Sequence, residues 1–114
     1  MDQPSALAAS IAVESVVVAL LLMRMGRAKL LRGIAVAALA TLITHPLAWW
    51  SIKALEPAAG YWGMVAAVEV LVCLAEAMAY RFLVPLTWPA ALAVSVTANA
   101  ASTLAGLLYY ATLV

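Results

Sequence analysis

The chain has 114 residues, of which 68% are hydrophobic and 10% are charged, and its formal net charge is +1. Soluble domains cover their surface with charge, at about 25% of residues on average, so this composition excludes an ordinary soluble domain and indicates one domain in lipid. The chain has no basic stripe and no aromatic RNA-binding motif, which argues against a nucleic-acid partner. Cys73 is the only cysteine, which excludes an internal disulfide and a CxxC metal site.

Four apolar stretches are long enough to cross a bilayer, since a spanning helix needs about 20 mostly apolar residues. We therefore expect an all-α polytopic membrane protein, with a single transmembrane domain over residues 1–114 and four transmembrane helices in an antiparallel bundle. The predicted helices cover residues 5–23, 34–52, 61–83 and 90–113. Met1 to Ser5 include an acidic residue and no basic one, unlike the start of a signal peptide, so we expect the first helix to be retained.

The distribution of basic residues predicts the orientation. The predicted loop at residues 24–33 holds four of the six Lys and Arg residues, and Arg81 lies at the end of the third helix. The predicted turn at residues 51–60 holds only Lys53. Basic residues in short loops favour the cytoplasmic side, so we expect both termini outside. Within the second helix, Pro46 lacks a backbone donor and is expected to produce a kink.

The third helix carries two carboxylates within an apolar sequence. Glu69, Cys73, Glu76 and Tyr80 follow the i, i+4, i+7, i+11 spacing and therefore share one face of a helix. An ionisable side chain at membrane depth costs a few kcal/mol on insertion scales, so it normally faces protein or water and marks function. This stretch is the first place to look for a site.

Each of the other three helices also contributes a polar residue near the middle of the bilayer. These residues are Glu14, His45 and Asn99, at about the depth of Glu69, whereas Glu76 lies about two turns nearer the cytoplasm. The lipid side is the costly alternative for them, so we expect them to face the bundle interior. The predicted ion- or substrate-binding set is Glu14, His45, Glu69, Glu76 and Asn99.

A second polar stripe lies on the charge-free fourth helix. Ser95, Asn99, Ser102, Gly106 and Tyr109 share one face. Small residues at this spacing let helix backbones approach closely, and hydroxyls can donate across the contact. We therefore expect Ser95, Ser102 and Gly106 to be helix-packing residues, and Asn99 to meet a specific polar partner.

Three carboxylates in a low-dielectric interior cannot all stay ionised without cations. Either they are protonated and merely tie the helices together, or they share a metal ion, protons or a cationic substrate. Glu14, His45 and Glu69 are possible metal ligands, but no ExxH or HExxH pair is present, and neither the metal nor any cofactor is specified. Catalytic motifs are also absent, so we expect a protein that is not an enzyme.

Two resemblances follow from these residues. The segment Ile11-Ala12-Val13-Glu14 resembles the first helix of the small multidrug resistance transporters, which implies a four-helix fold and a role for Glu14 in coupling cation export to protons. The third helix departs from that family, because Glu69 and Glu76 replace its Gly- and aromatic-rich pattern. The series Glu14, Thr44-His45-Pro46, Glu69, Glu76, Tyr80, Asn99 and Ser102 is similar to small uncharacterised four-helix membrane proteins of bacteria and archaea. This similarity implies the fold and the polar set, and a bacterial inner membrane location.

Two classes of function remain open at this point. In the first, the polar interior binds a proton or other ion in a transport-like or ion-coupling role. In the second, the chain is a non-catalytic accessory subunit whose polar stripes bind a larger membrane complex, with the fourth helix as the docking face. The expected partners are the lipid bilayer and either further copies of the chain or that larger complex.

Overall fold

The computed structural model describes residues 3–113, and five side chains within that range lie outside the description: Gln3, Glu56, Ala59, Tyr110 and Leu113. Met1 and Asp2, on which the expectation about a leader depends, also lie outside it. The described chain folds into four helices, α1 (Gln3–Leu22), α2 (Arg27–Ala59), α3 (Tyr61–Leu83) and α4 (Trp88–Leu113). All four are long and apolar enough to cross a membrane. The prediction of an all-α protein with four such helices is confirmed.

The second helix is longer than the sequence predicted. It begins at Arg27 and ends at Ala59, about two turns beyond residues 34–52 at each end. The predicted loop at residues 24–33 and turn at residues 51–60 are therefore wrong. Lys and Arg are good helix formers, and residues 23–26 and Gly60 suffice for the reversals because Gly26 and Gly60 adopt positive φ angles, of 97° and 80°. By contrast, α3 coincides with its predicted range.

Two prolines lie inside α2, which continues through both of them. These are Pro46 and Pro57. Pro46 lacks an N–H, so the Leu42 carbonyl has no intrahelical donor at that position. The kink expected at Pro46 stays a prediction.

The helices are arranged in a ring. Each helix packs against the one before and after it, and α4 closes the ring against α1, whereas in the described chain no Cα atoms of the diagonal pairs, α1 with α3 and α2 with α4, lie within 8 Å of each other. The connections are short, so neighbouring helices run antiparallel. The bundle measures 44 × 28 × 19 Å. Because the diagonals are apart, the middle of the bundle can hold a cavity.

One half of the bundle is filled by apolar side chains. We call this half the basic end, because the connections at residues 23–26 and 84–87 lie there beside Arg24, Arg27 and Arg81. Gly33 brings α2 close to α1 here: a Cβ at this position would collide with the Leu22 side chain. The buried core of this end and of the adjoining helix turns consists of Val18, Leu22, Val36, Ala37, Tyr80, Val84, Leu86, Ala91, Val94 and Ala98.

Candidate functional site

The other half of the bundle encloses a cavity between all four helices. Its volume is about 420 Å³, far more than the roughly 30 Å³ that one water molecule occupies in the liquid. We call it the central cavity. At its outer end the exposed side chains of Tyr61, Trp62 and Tyr109 line it, so the central cavity opens at the end opposite the basic end. The apolar core closes it on the other side.

Glu14 of α1 lies at the floor of the central cavity and is 3% exposed. The Thr41 hydroxyl of α2 donates to Glu14 Oε2 at 2.9 Å. Glu14 Oε1 is equally buried and accepts no hydrogen bond. This contact joins α1 to α2 while leaving half of the carboxyl group free to bind something else.

Glu76 of α3 lies at the floor as well, and it is 2% exposed. Neither of its carboxyl oxygens accepts a hydrogen bond. Asn99 is its neighbour on α4, yet the Asn99 amide nitrogen donates to the Ser95 carbonyl at 2.9 Å. The Ser95 hydroxyl in turn donates to the Cys73 carbonyl at 2.6 Å, which joins α4 to α3. The oxygens of Glu76 therefore make no hydrogen bond of their own, although the Asn99 amide lies close enough to interact with the carboxyl group.

Glu69 and His45 lie nearer the open end. Both are partly buried and line the central cavity, and the buried Nδ1 of His45 has no hydrogen-bond partner. The His45 ring lies 6.1 Å from that of Trp49, centroid to centroid. Lys53 places its ammonium nitrogen 4.9 Å from the Trp49 ring centroid. A cation therefore already stacks on an aromatic face at the entrance.

The fourth-helix stripe faces its own bundle. The Ser102 hydroxyl donates to Ser10 Oγ at 3.0 Å and joins α4 to α1, while Ser95 joins α4 to α3 as described above. Gly106 differs from the expectation of a packing residue, because a Cβ at this position would meet nothing within 4 Å. Gly106 lines the central cavity instead, so its lack of a side chain adds space rather than a close helix contact.

The three carboxylates act on one another electrostatically. Glu14 lies within interaction range of both Glu76 and Glu69, and Glu69 lies within range of Glu76. The described lining contains no Lys or Arg, and His45 is its only basic residue. Three buried carboxyl oxygens, Glu14 Oε1 and both oxygens of Glu76, have no donor. Unpaired buried acceptors cost free energy, so the floor is built to receive a proton, a cation or a hydrogen-bond donor.

The described residues do not bring three metal-ligating side chains together. No group of three His, Cys, Asp or Glu side chains in residues 3–113 is arranged to hold a metal ion. The possible ligand set of Glu14, His45 and Glu69 is therefore not assembled. His45 lies one turn along α2 from Thr41, which contacts Glu14, and Glu69 lies about two turns along α3 from Glu76 at the floor. His45 and Glu69 are therefore at a different depth from Glu14.

Sequence reasoning missed one member of the site and most of its entrance. Thr41 lies one turn before His45 on the same face of α2, and nothing in that spacing indicates that it meets Glu14. Ser10 lies one turn before Glu14 on α1, and its spacing gives no sign of the contact with Ser102.

Trp49, Trp50 and Trp62 are expected from the sequence to lie at the outer membrane interface, as in an aromatic belt. Trp49 and Trp62 also line the cavity, together with Tyr61, for which the sequence carries no such signal.

Comparison of the chain with protein-family models, with curated proteins and with solved structures finds no match.

Proposed function

We propose that this protein is a four-span integral membrane protein whose central cavity binds and moves protons or small cations, in a transport-like or ion-coupling role. Support comes from the many large apolar side chains that cover the outside of the bundle, including Leu20, Leu39, Leu71 and Phe82. Such a surface is stable in lipid and would aggregate in water. Four apolar helices in a ring leave the polar groups inside, where the bilayer does not penalise them.

The observation that carries the proposal is the pair of buried carboxyl groups at the floor of the central cavity. Glu14 and Glu76 come from different helices and leave three oxygens without a donor. A purely structural role would be expected to pair these oxygens with donors from neighbouring helices, because a buried acceptor is costly when unpaired. A group that repeatedly takes up and releases a cation or proton must keep its oxygens available.

The shape of the cavity is compatible with one state of a transporter. The central cavity opens at one end and is closed by apolar core at the other, which corresponds to an access state facing one side of the membrane. Alternating access requires a second state open to the basic end. The two states would differ in the packing of Val18, Leu22 and Tyr80 beneath the floor.

Orientation and location belong to the same proposal. Five of the six basic residues lie at the basic end, and the sixth, Lys53, lies near the entrance. Basic residues favour the cytoplasmic side, so the central cavity opens to the outside and both termini lie there. We place the protein in the inner membrane of a bacterium, where proton gradients are available for coupling.

The accessory-subunit alternative has less support than before. It relied on the fourth-helix stripe as a docking face for a partner. Ser95 and Asn99 are buried within the chain's own bundle, and Ser102 bonds to Ser10. A homo-oligomer is compatible with the proposal, since the outer faces are free to meet another copy.

The test is proton flux in proteoliposomes that contain a pH-sensitive dye and carry a potassium-diffusion potential. Wild-type protein should acidify or alkalinise the lumen faster than empty liposomes do. Glu14→Gln and Glu76→Gln should each abolish that difference, since glutamine keeps the shape and cannot cycle a proton. The matched control is Thr97→Val, an exposed position on α4, which should retain the wild-type rate.

Membrane insertion and folding of each variant are measured as controls, by membrane fractionation and circular dichroism. Full flux in both glutamine variants would refute the carboxylate mechanism. A wild-type protein that is well folded yet indistinguishable from empty liposomes, both alone and with small cations on either side, would refute the proposed function.

A further inference from the structure

The floor of the central cavity offers three hydrogen-bond acceptors that lack donors. Glu14 Oε1 and both carboxyl oxygens of Glu76 are buried and unpaired, and the two residues are 3% and 2% exposed. A primary ammonium group carries three N–H donors and one positive charge. A quaternary ammonium group carries the same charge without a donor. The number and type of unpaired atoms thus favour a primary amine.

A second depression lies on the outside of the bundle, between α2 and α3. Its volume is about 200 Å³, and we call it the lateral groove. Most of its lining is apolar or small, as expected of a surface that an alkyl chain could cover. Its lining includes Thr44 and Ala48 of α2 and Val72 of α3.

The lateral groove and the central cavity lie side by side. Thr44, Ala48 and Val72 line both spaces, so the two spaces are separated by no more than the width of these residues. On α3, Val72 lies about one turn from Glu69 on one side and one turn from Glu76 on the other. The groove is therefore adjacent to the carboxylates as well as to the cavity.

Both helices that form the lateral groove are long and apolar enough to cross a membrane. In the proposed four-span arrangement the groove faces lipid at the depth of the bilayer. Pro46 lies on α2 beside it and removes one backbone hydrogen bond from that turn, which lets α2 adjust locally. Lipid around the groove thus supplies molecules with alkyl chains, and the carboxyl groups of the central cavity lie on the inner side of the groove.

We propose that the central cavity takes a single-chain amphiphile with a primary amine head, entering sideways from the bilayer between α2 and α3. The amine donates to Glu14 and Glu76 at the floor, and the alkyl chain leaves past Ala48 into the lateral groove. This inference rests on the proposed function and names the substrate class of the same site. The acidic floor then binds the amine head of the ligand, and the apolar walls contact its alkyl chain.

The charges of the site match this ligand. The described lining holds three carboxylates and no Lys or Arg, so a cationic head compensates part of the negative charge. Lys53 over Trp49 is a primary ammonium on an alkyl stem, held near the entrance by the protein itself. The Lys53 contact is thus an example, within the chain, of a primary ammonium group held near the entrance of the cavity.

The experiment measures binding of dodecylamine to the protein in nanodiscs, with empty nanodiscs subtracted to remove partition into lipid. Dodecyltrimethylammonium is the matched probe, because it has the same chain and charge without an N–H. Saturable binding of dodecylamine is expected, and binding of the quaternary analogue should be at least about tenfold weaker. Glu76→Gln should weaken dodecylamine binding by a similar factor while leaving the protein folded. Equal affinity for the two probes would overturn the assignment of a primary amine.

The lateral route is tested with Ala48→Phe, which adds a large side chain at a residue that lines both spaces, against Ala35→Phe, an exposed position of α2 that lines neither space. Ala48→Phe should weaken dodecylamine binding at least about tenfold, and Ala35→Phe should leave it unchanged. Unchanged binding in Ala48→Phe would overturn the route. If Ala48→Phe instead altered only the oligomeric mass, the groove would be an interface between copies, which also overturns it.

Failure of this inference and of the proposed function give different results. Proton flux that depends on Glu14 and Glu76, together with no specific dodecylamine binding, would overturn the amphiphile alone. Specific dodecylamine binding without any flux, with or without the amine, would overturn transport and leave a binding site.

Discussion

The hydrogen bond between Thr41 and Glu14 gives the sharpest stability prediction. The Thr41 hydroxyl donates to Glu14 Oε2 at 2.9 Å, and the two residues are 2% and 3% exposed. Thr41→Val keeps the branched shape and removes the donor. Since Glu14 Oε1 already lacks a partner, the whole carboxyl group would then be unpaired.

Two magnitudes bound the expected cost. An unsatisfied buried acceptor costs about 1–3 kcal/mol, whereas interhelical hydrogen bonds measured in one membrane protein average about 0.6 kcal/mol and reach about 1.7 kcal/mol. Because Thr41 makes the only hydrogen bond to the Glu14 carboxyl group among the described residues, we expect Thr41→Val to lower the free energy of unfolding by about 1.5 kcal/mol, near the upper end of the membrane range.

The assay is unfolding in mixed micelles with increasing denaturing detergent, followed by tryptophan fluorescence. Thr97→Val, at an exposed position, controls for the general effect of replacing Thr by Val. In a Glu14→Gln background the cost of Thr41→Val should fall to about 0.5 kcal/mol, because a neutral amide is less costly to leave unpaired. Equal costs in the two backgrounds, or a cost no greater than that of the control, would refute this reasoning.

Further predictions concern packing and orientation. Gly33→Ala should destabilise the bundle by about 1 kcal/mol, because the added Cβ collides with the end of the Leu22 side chain, which is itself buried and must shift. Gly63→Ala meets nothing within 4 Å and should be neutral or slightly stabilising in the same detergent titration; equal effects at the two glycines would contradict the close approach of α1 and α2. In a Cys73→Ser background, a membrane-impermeant maleimide should label Arg24→Cys only from the cytoplasmic side and Trp62→Cys only from outside. The opposite pattern would invert the orientation, and with it the side to which the central cavity opens.

The sequence was sufficient for the fold class, for a physical reason. Four long apolar stretches with so few charges predict helices, because a helix satisfies its backbone hydrogen bonds within a single segment. The spacing of Glu69, Glu76, Ser95 and Asn99 also predicted which helix faces turn inward, because side-chain direction on a helix follows from spacing alone. The ends of α2 could not be predicted, since its basic residues suit either a loop or a helix.

What the sequence could not decide is which inward-facing residues meet. Spacing within a helix is local, whereas the contacts between helices depend on the rotation and depth of each helix against its neighbours. Depth counted from the sequence grouped Glu14 with His45, Glu69 and Asn99. Tertiary packing instead places Thr41 against Glu14.

The packing of the helices also decided the role of the fourth-helix stripe and the existence of the cavity. The fourth-helix stripe could have served a partner protein, but the ring arrangement directs Ser95 and Ser102 to α3 and α1 of the same chain. The cavity itself exists because the diagonal helices stay apart, which no residue pattern encodes. The sequence by itself determined four apolar helices with polar inner faces, two of them acidic, and only the tertiary structure decided that Glu14 and Glu76 share a cavity with three of their oxygens unpaired.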